Sequence, residues 1–184
     1  MIIAQKKRRE NIAEYLLYMW QVEDVLRLCK FDIDKISGSI ISRYGADEAL
    51  KSEIKEWYEG LIKMMELESV KQSGHLQINK NVIIRLTDLH LQLLKADKYP
   101  EYGAMFYKAL PYIVELRAKS GDDKSGEIET CFNALYGTLM LKLQGKTVTE
   151  GTVAAMKDIT AFVAMLTRFY HQNEEKPLFE EEIK

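Results

Sequence analysis

The apolar residues of this sequence recur every three or four positions over long segments that proline hardly interrupts. Only three prolines occur in 184 residues, and no segment alternates apolar and polar residues between turn signals as a half-buried strand does. Because residues three or four apart share one face of an α-helix, the pattern predicts an all-α protein. We expect a single-domain bundle of about six to seven helices over residues 1–184.

The composition is that of a globular protein and excludes several classes. Hydrophobic residues make up 47% of the chain and the net charge is −2, so neither disorder nor nucleic-acid binding by the whole surface is expected. Cys29 and Cys131 lie far apart in apolar segments, which suits reduced thiols. The N-terminal charges follow the first apolar residues, unlike those of a signal peptide, and no uncharged window reaches the roughly 18 residues of a membrane span. We expect a cytoplasmic protein without membrane contact.

Capping residues and helix breakers predict the helix ends in the first half of the chain. A first helix should run from about Lys7 to about Lys30. The second should begin at Asp32 or Asp34, since either side chain can cap it, and the third at Asp47. Asn79 or Asn81 should cap the fourth helix.

Two of the three prolines and one glycine bear on the helices of the second half. Pro100 suits the first turn of the fifth helix, whereas Pro111 lies in its middle and predicts a kink or two shorter helices. Gly137, inside the sixth helix, indicates that a neighbouring helix packs closely there. The sixth helix should start near Ser125, and the last should run from Thr149 to about Gln172. We expect residues 174–184 to form a flexible acidic tail.

Sequence patterns for a metal or a nucleophile are missing. The residues three before His75, His90 and His171 are Gln, Thr and Arg, so the Glu-x-x-His pairs of di-iron bundles are absent, and no paired cysteines offer a zinc site. There is no Gly-x-Ser-x-Gly elbow and no phosphate-binding loop. The "GDD" in "KSGDDKSGEIE" could suggest Mg²⁺, but such a glycine-flanked pair is usually a solvated turn. We expect no metal and no cofactor, and these absences favour a non-enzymatic protein over an enzyme.

The segment "ENIAEYLLYMWQVEDVLR" carries three carboxylates within an apolar pattern. Projected on a helix, Glu23 and Asp24 extend the apolar rows, whereas Glu14 lies on another side and can reach solvent. A buried carboxylate needs a partner. We expect a structural salt bridge, made with Arg27 or with a group from another helix.

Tyrosine and phenylalanine are dense in "KYPEYGAMFYKALPYIVELR", around the interrupted helix. Tyrosine combines an apolar ring with a polar tip, which suits cores, pockets and interfaces alike. Helical spacing favours the core, but this segment is also the preferred place for a pocket or a partner surface.

Four stretches together resemble a known family: "KRRENIAEYLLYMWQVED", "SGHLQINKNVIIRLTDLHLQLL", "YKALPYIVELRAKSGD" and "EIETCFNALYG". The family is a bacterial one of helical proteins, classed as a domain of unknown function, and the resemblance covers nearly the whole chain. It implies one compact all-helical domain and supplies no activity, cofactor or site residue.

The leading hypothesis for function is a non-enzymatic helical interaction module that associates with itself, as a possible homodimer, or with a protein partner. The alternative is a small-molecule-binding protein or enzyme with a polar pocket between helices, lined by Glu14, Asp24, Arg27, His90, Glu115 and Arg117. A third reading is a DNA-binding regulator that uses Lys6, Lys7, Arg8 and Arg9. The acidic, isoleucine-rich sequence that follows argues against nucleic acid, since a recognition helix would need basic and polar residues.

Overall fold

A computed structural model describes residues 2–121 and 125–179, and over these ranges the protein is all-α, as predicted. The described residues form eight α-helices and one short 3-10 turn, rather than six to seven helices. The chain divides into two compact units, residues 1–81 and 82–184. The expectation of a single domain stays a prediction. Within the described ranges, no helix has both the length and the apolar character needed to cross a bilayer.

The first unit contains four α-helices, the 3-10 turn and the start of a fifth α-helix. These are α1 (Ile2–Glu10), α2 (Ile12–Leu28), α3 (Ile33–Ser39), the 3-10 turn Ile41–Arg43, α4 (Glu48–Leu67) and the first residues of α5 (Gln77–Lys95). α1 packs on α2, and α3 packs on α4. On α2, the predicted stripe of Ile12, Leu16 and Met19 is buried, and Glu23 continues it into the interior.

The prediction of one first helix from Lys7 to Lys30 is wrong, because the chain breaks at Asn11. Asn11 has an extended backbone with φ −157°, and its Oδ1 accepts a hydrogen bond from the Glu14 amide at 3.0 Å. Asparagine is among the preferred N-caps. It therefore ends α1 and starts α2 within one residue.

The caps of α3 and α4 are confirmed. The Asp32 carboxylate accepts from the amides of Asp34 and Lys35, and the Asp47 carboxylate accepts from the Leu50 amide at 2.8 Å. The prediction for the next helix is wrong, because α5 begins at Gln77 and Asn79 lies inside it.

The second unit contains the rest of α5 and three long helices that pack on one another. These are α6 (Pro100–Ser120), α7 (Glu127–Leu143) and α8 (Glu150–Glu175). Pro100 occupies the first turn of α6 as predicted, but α6 continues through Pro111, so the alternative of two shorter helices is wrong. Pro111 and Tyr107 are both exposed. Water can therefore reach the Tyr107 carbonyl, which lacks the bond that residue 111 would otherwise donate.

The ends of α7 and α8 agree with the predictions to within a few residues. Gly126 caps α7 without a side-chain bond, one residue after Ser125, and the Thr149 hydroxyl caps α8 by accepting from the Thr152 amide at 3.2 Å. Gly145, just after α7, has a left-handed backbone with φ +68°.

The predicted tail, residues 174–184, is only partly described. Glu174 and Glu175 are the last residues of α8. Just beyond it, the Leu178 carbonyl accepts from Lys98 Nζ at 2.8 Å, and the Leu178 amide donates to Asn173 at 2.9 Å. Residues 180–184 lie outside the described residues, as do Asp122 and Asp123 of the "GDD" segment.

The expected close packing at Gly137 is contradicted. A Cβ atom built at Gly137 would meet no heavy atom of the described chain within 4 Å. Among the described residues, no neighbouring helix therefore uses the space that this glycine leaves.

We predict that Gly137→Ala stabilises the protein. The residue lies inside α7, where alanine is favoured over glycine by about 1 kcal/mol and meets no steric obstacle. The free energy of unfolding, measured in urea, should rise by about 0.5–1 kcal/mol. Gly145→Ala is the matched control and should destabilise, because its left-handed backbone is costly for alanine. A loss of stability in Gly137→Ala would mean that another group occupies the space beside Gly137.

Candidate functional site

The most elaborate polar cluster in the first unit is centred on a buried carboxylate. Glu23 lies on α2 and is 1% exposed. An isolated charge in such a position is strongly unfavourable, so its oxygens require donors. The partners come from the start of α5 and the residues just before it.

Both oxygens of Glu23 are hydrogen-bonded. Oε2 lies 2.6 Å from Nδ1 of His75, while Oε1 accepts from the Leu76 amide at 2.9 Å and from the Asn79 side-chain amide at 2.7 Å. Amide donors at a helix N-terminus, and the positive end of the helix dipole, favour an anion there. Glu23 therefore acts as a cap for α5 from another helix. This cluster of Glu23, His75, Leu76 and Asn79 is called the Glu23 network below.

The imidazole of His75 is held on two sides. Its ring stacks on Trp20, with centroids 4.1 Å apart and planes 11° from parallel, while Nδ1 faces Glu23. A carboxylate on Nδ1 fixes the ring orientation and directs the other nitrogen away, an arrangement that also orients histidine bases in enzymes. The His75 side chain is 29% exposed. The cluster thus presents an oriented imidazole at the edge of a buried network.

A second group of bonds holds the segment between α4 and α5. Arg27 donates from Nη1 to Asp24 at 2.9 Å, and from Nη2 to the carbonyls of Val70, at 3.0 Å, and Gly74. Glu68 accepts from the Gln77 amide at 2.6 Å. With the Glu23 network, these bonds fix the entrance to α5.

The second unit contains a buried histidine of another kind. His90, 2% exposed, bonds through Nδ1 to the Tyr102 hydroxyl at 2.7 Å, and its ring contacts Phe106 and Phe162 with centroids 4.7 and 5.6 Å away. Burial lowers the pKa of His90 below its ordinary value, against a smaller opposite effect of Glu127. Burial also raises the pKa of Tyr102. The imidazole of His90 and the phenol of Tyr102 are therefore both neutral. Their hydrogen bond satisfies two polar groups inside the core.

The three predicted pocket residues of the first unit divide between two ion pairs. Glu14 pairs with Lys7 at 2.9 Å and is mostly exposed, whereas Asp24 pairs with Arg27. Glu14 and Asp24 are ten positions apart on α2, which corresponds to about 15 Å of rise. The structure therefore brings together Asp24 and Arg27 and separates Glu14 from them.

The three predicted pocket residues of the second unit have separate partners. His90 bonds to Tyr102, and Arg117 Nε donates to the Thr130 hydroxyl at 3.2 Å, with Glu127 3.6 Å from its Nη1. The exposed Glu115 pairs with Lys119 at 2.6 Å. A pocket shared by all six predicted residues stays a prediction.

Sequence reasoning missed His75 and Asn79. It identified Glu23 as a carboxylate on an apolar row that would need a partner, and this signal was sound. The partners His75 and Asn79 are 52 and 56 positions away from Glu23, so helical spacing could not identify them.

Other chemistry is limited in the described residues. No group of three or more His, Cys, Asp or Glu side chains there could hold a metal ion. Both cysteines are free thiols, and burial raises the pKa of Cys131 to about 12, which makes it a poor nucleophile. In the basic run, Lys7 is paired with Glu14 and Arg8 lies over the Tyr15 ring at 5.7 Å.

Comparison with known proteins gives one match. A family model described as a domain of unknown function (DUF4924) matches residues 1–177. No curated protein and no solved structure matches the chain.

We predict that Glu23→Ala lowers the free energy of unfolding by about 3 kcal/mol, because it leaves buried donors of Leu76 and Asn79 unpaired. Glu23→Gln should cost less, since its amide oxygen can still accept. Glu14→Ala is the control; it removes an exposed ion pair and should cost about 0.5 kcal/mol. Urea unfolding followed by circular dichroism measures all three. Equal losses in Glu23→Ala and Glu14→Ala would contradict the role of the Glu23 network.

We also predict an acid dependence of stability that comes from His90. Its pKa is lowered in the folded state, so below about pH 6.5 the unfolded chain takes up a proton that the folded protein does not. The contribution of His90 to stability is therefore complete above this pH and is lost as the pH falls. Each pH unit should cost up to about 1.4 kcal/mol until the folded-state pKa is reached.

The measurement compares unfolding free energies of the wild type and His90→Gln from pH 7.5 to pH 5. His90→Gln should flatten the pH dependence. Tyr102→Phe is the control; it removes the hydroxyl but keeps the imidazole and should retain the slope at lower overall stability. Identical slopes in wild type and His90→Gln would refute the assignment.

Proposed function

We propose that this chain, which belongs to the DUF4924 family, is a non-enzymatic helical interaction module. In this proposal it pairs with a second copy of itself through α6. The family description assigns no activity, so the proposal rests on the residues of this chain. The observation that carries it is an exposed apolar row along α6.

This row, called the α6 stripe, is apolar throughout and exposed to solvent. It consists of Ala104, Tyr107, Pro111, Val114 and Ala118. Tyr107 is 65% exposed and Val114 is 55% exposed. The spacing alternates between three and four residues, which is the seam of a coiled coil. The stripe extends about 21 Å along the helix.

The other face of α6 is already occupied. Tyr102, Phe106, Ala109 and Ile113 are buried, and α6 packs on α7 and α8. A surface helix normally turns charged and polar residues towards solvent opposite its buried face. An apolar row on that side indicates a partner. Tyrosine is also enriched where interfaces are buried.

Charge favours a second copy as that partner. Lys108 and Glu115 lie seven positions apart along one edge of the stripe, and both are exposed. In an antiparallel pair of α6 helices, Lys108 of each copy would lie beside Glu115 of the other. In a parallel pair the two Lys108–Glu115 edges would lie on opposite sides of the seam, so this pairing of opposite charges would not form. The stripe is thus complementary to itself in the antiparallel orientation, as a two-fold interface requires.

We predict that the wild type is a dimer at micromolar concentration and that Val114→Lys raises its dissociation constant at least about tenfold, since a charge would enter the seam. Analytical ultracentrifugation measures the association. Ile84→Lys is the matched control, because Ile84 is similarly exposed, at 52%, but lies on α5. A strictly monomeric wild type would refute self-association.

The orientation has its own test. Lys108→Glu and Glu115→Lys should each weaken the dimer, and the double variant should restore it, because the opposite charges face each other again. Lys108 also pairs with Asp158 at 2.8 Å, so the melting temperature of each variant is measured as a control. Single variants that associate as tightly as the wild type would exclude the antiparallel arrangement.

A further inference from the structure

The first unit contains a concave site remote in sequence from the α6 stripe. A cleft of about 380 Å³ opens between the start of α1, residues 44–46 and α4. Pockets for small molecules typically enclose about 300–1,000 Å³ and are lined mainly by apolar groups. The volume places this cleft at the lower end of that range.

The walls of the cleft are aliphatic. Ile2 and Ile3 of α1 line it together with Leu50 and Ile54 of α4. Ile2 is 57% exposed, although isoleucine gains free energy when it is covered. An apolar body placed against these four side chains would cover it.

One wall of the cleft is held in place from behind. Tyr44 lines the cleft, and its side chain is hydrogen-bonded to Tyr18 and to Tyr58. Burial raises the pKa of both partners, so the phenols of Tyr18 and Tyr58 stay neutral. A wall that is already ordered reduces the entropy cost of ligand binding.

The charge at the cleft selects the ligand. Glu53 is the charged side chain among the lining residues, and within the described residues it has no ion-pair partner. The nearby N-terminus of α1 contributes an opposite partial charge of about half a unit, which solvent screens. The Glu53 carboxylate itself attracts a cation and repels an anion. A cationic head group is therefore favoured.

We propose that this cleft binds a hydrophobic primary amine, with its apolar body on Ile2, Ile3, Leu50 and Ile54 and its ammonium group beside Glu53. The apolar contacts supply most of the affinity, and Glu53 supplies the preference for a cation over an anion. Because Glu53 is exposed, this preference is moderate.

The test compares three probes of equal chain length: octylamine, octanol and octanoate. Binding to the full chain is measured by titration of the isoleucine and leucine methyl signals in NMR spectra. Octylamine should shift the signals of Ile2, Ile3, Leu50 and Ile54 and bind about tenfold more tightly than octanoate, with octanol between them.

Two variants at the cleft sharpen the test. Glu53→Gln should remove the difference between octylamine and octanoate, whereas Glu56→Gln, an exposed carboxylate elsewhere on α4, should keep it. Ala46→Trp should fill the cleft and abolish binding of all three probes, with folding checked by circular dichroism. Equal or tighter binding of octanoate, shifts confined to other methyl groups, or no binding of octylamine at low millimolar concentration would each overturn the proposal. None of these outcomes affects self-association through α6.

Discussion

The burial of Glu23 is the constraint on which the first unit depends most. A carboxylate that is 1% exposed has lost nearly all its water, and this is tolerable only because three donors replace it. Two of them, the Leu76 amide and the Asn79 side chain, belong to the entrance of α5, and the third, His75, directly precedes it. One buried carboxyl group thus fixes where a helix begins and where a loop lies. The interaction is strong because its removal leaves several buried polar atoms unpaired at once.

The same interaction explains which helix ends could be predicted from the sequence. Asp32, Asp47 and Thr149 each cap with a side chain that reaches an amide two or three residues ahead, so a local motif suffices. The entrance of α5 is capped by Glu68 and Glu23, which are 9 and 53 positions from the amides that they accept. The local capping pattern predicted Asn79 or Asn81 as the cap, but the Asn79 side chain donates to Glu23 instead. Asn11 is the opposite case, because it is a local cap inside an apolar pattern that continues through it and predicted one helix.

The candidate site was predictable to a similar extent. The pairing of Asp24 with Arg27 follows from their spacing of three on one helix, as expected. Glu23 was recognised as a carboxylate that burial would force to find a partner, but His75 was not identified, since a loop residue has no periodicity to place it. His90 was predicted to line a pocket, and its hydrogen-bond partner is Tyr102, twelve residues on. In each case the sequence indicates that a polar side chain needs a partner, and the tertiary fold determines which residue that partner is.

Apolar periodicity has a further limit, which concerns surfaces. The apolar pattern predicts that a helix face is buried, but it does not tell whether the same chain or another molecule covers it. Gly137 was expected to admit a helix and faces open space, while α6 is apolar on its buried face and again on its exposed one. The shape of an apolar surface then decides what can cover it. A row with alternating spacing of three and four matches another helix, since side chains can interdigitate along it. The cleft beside Glu53 is concave, and its volume of about 380 Å³ lies in the range of small-molecule pockets. The two surfaces therefore call for different partners, although both arise from the same surplus of apolar residues.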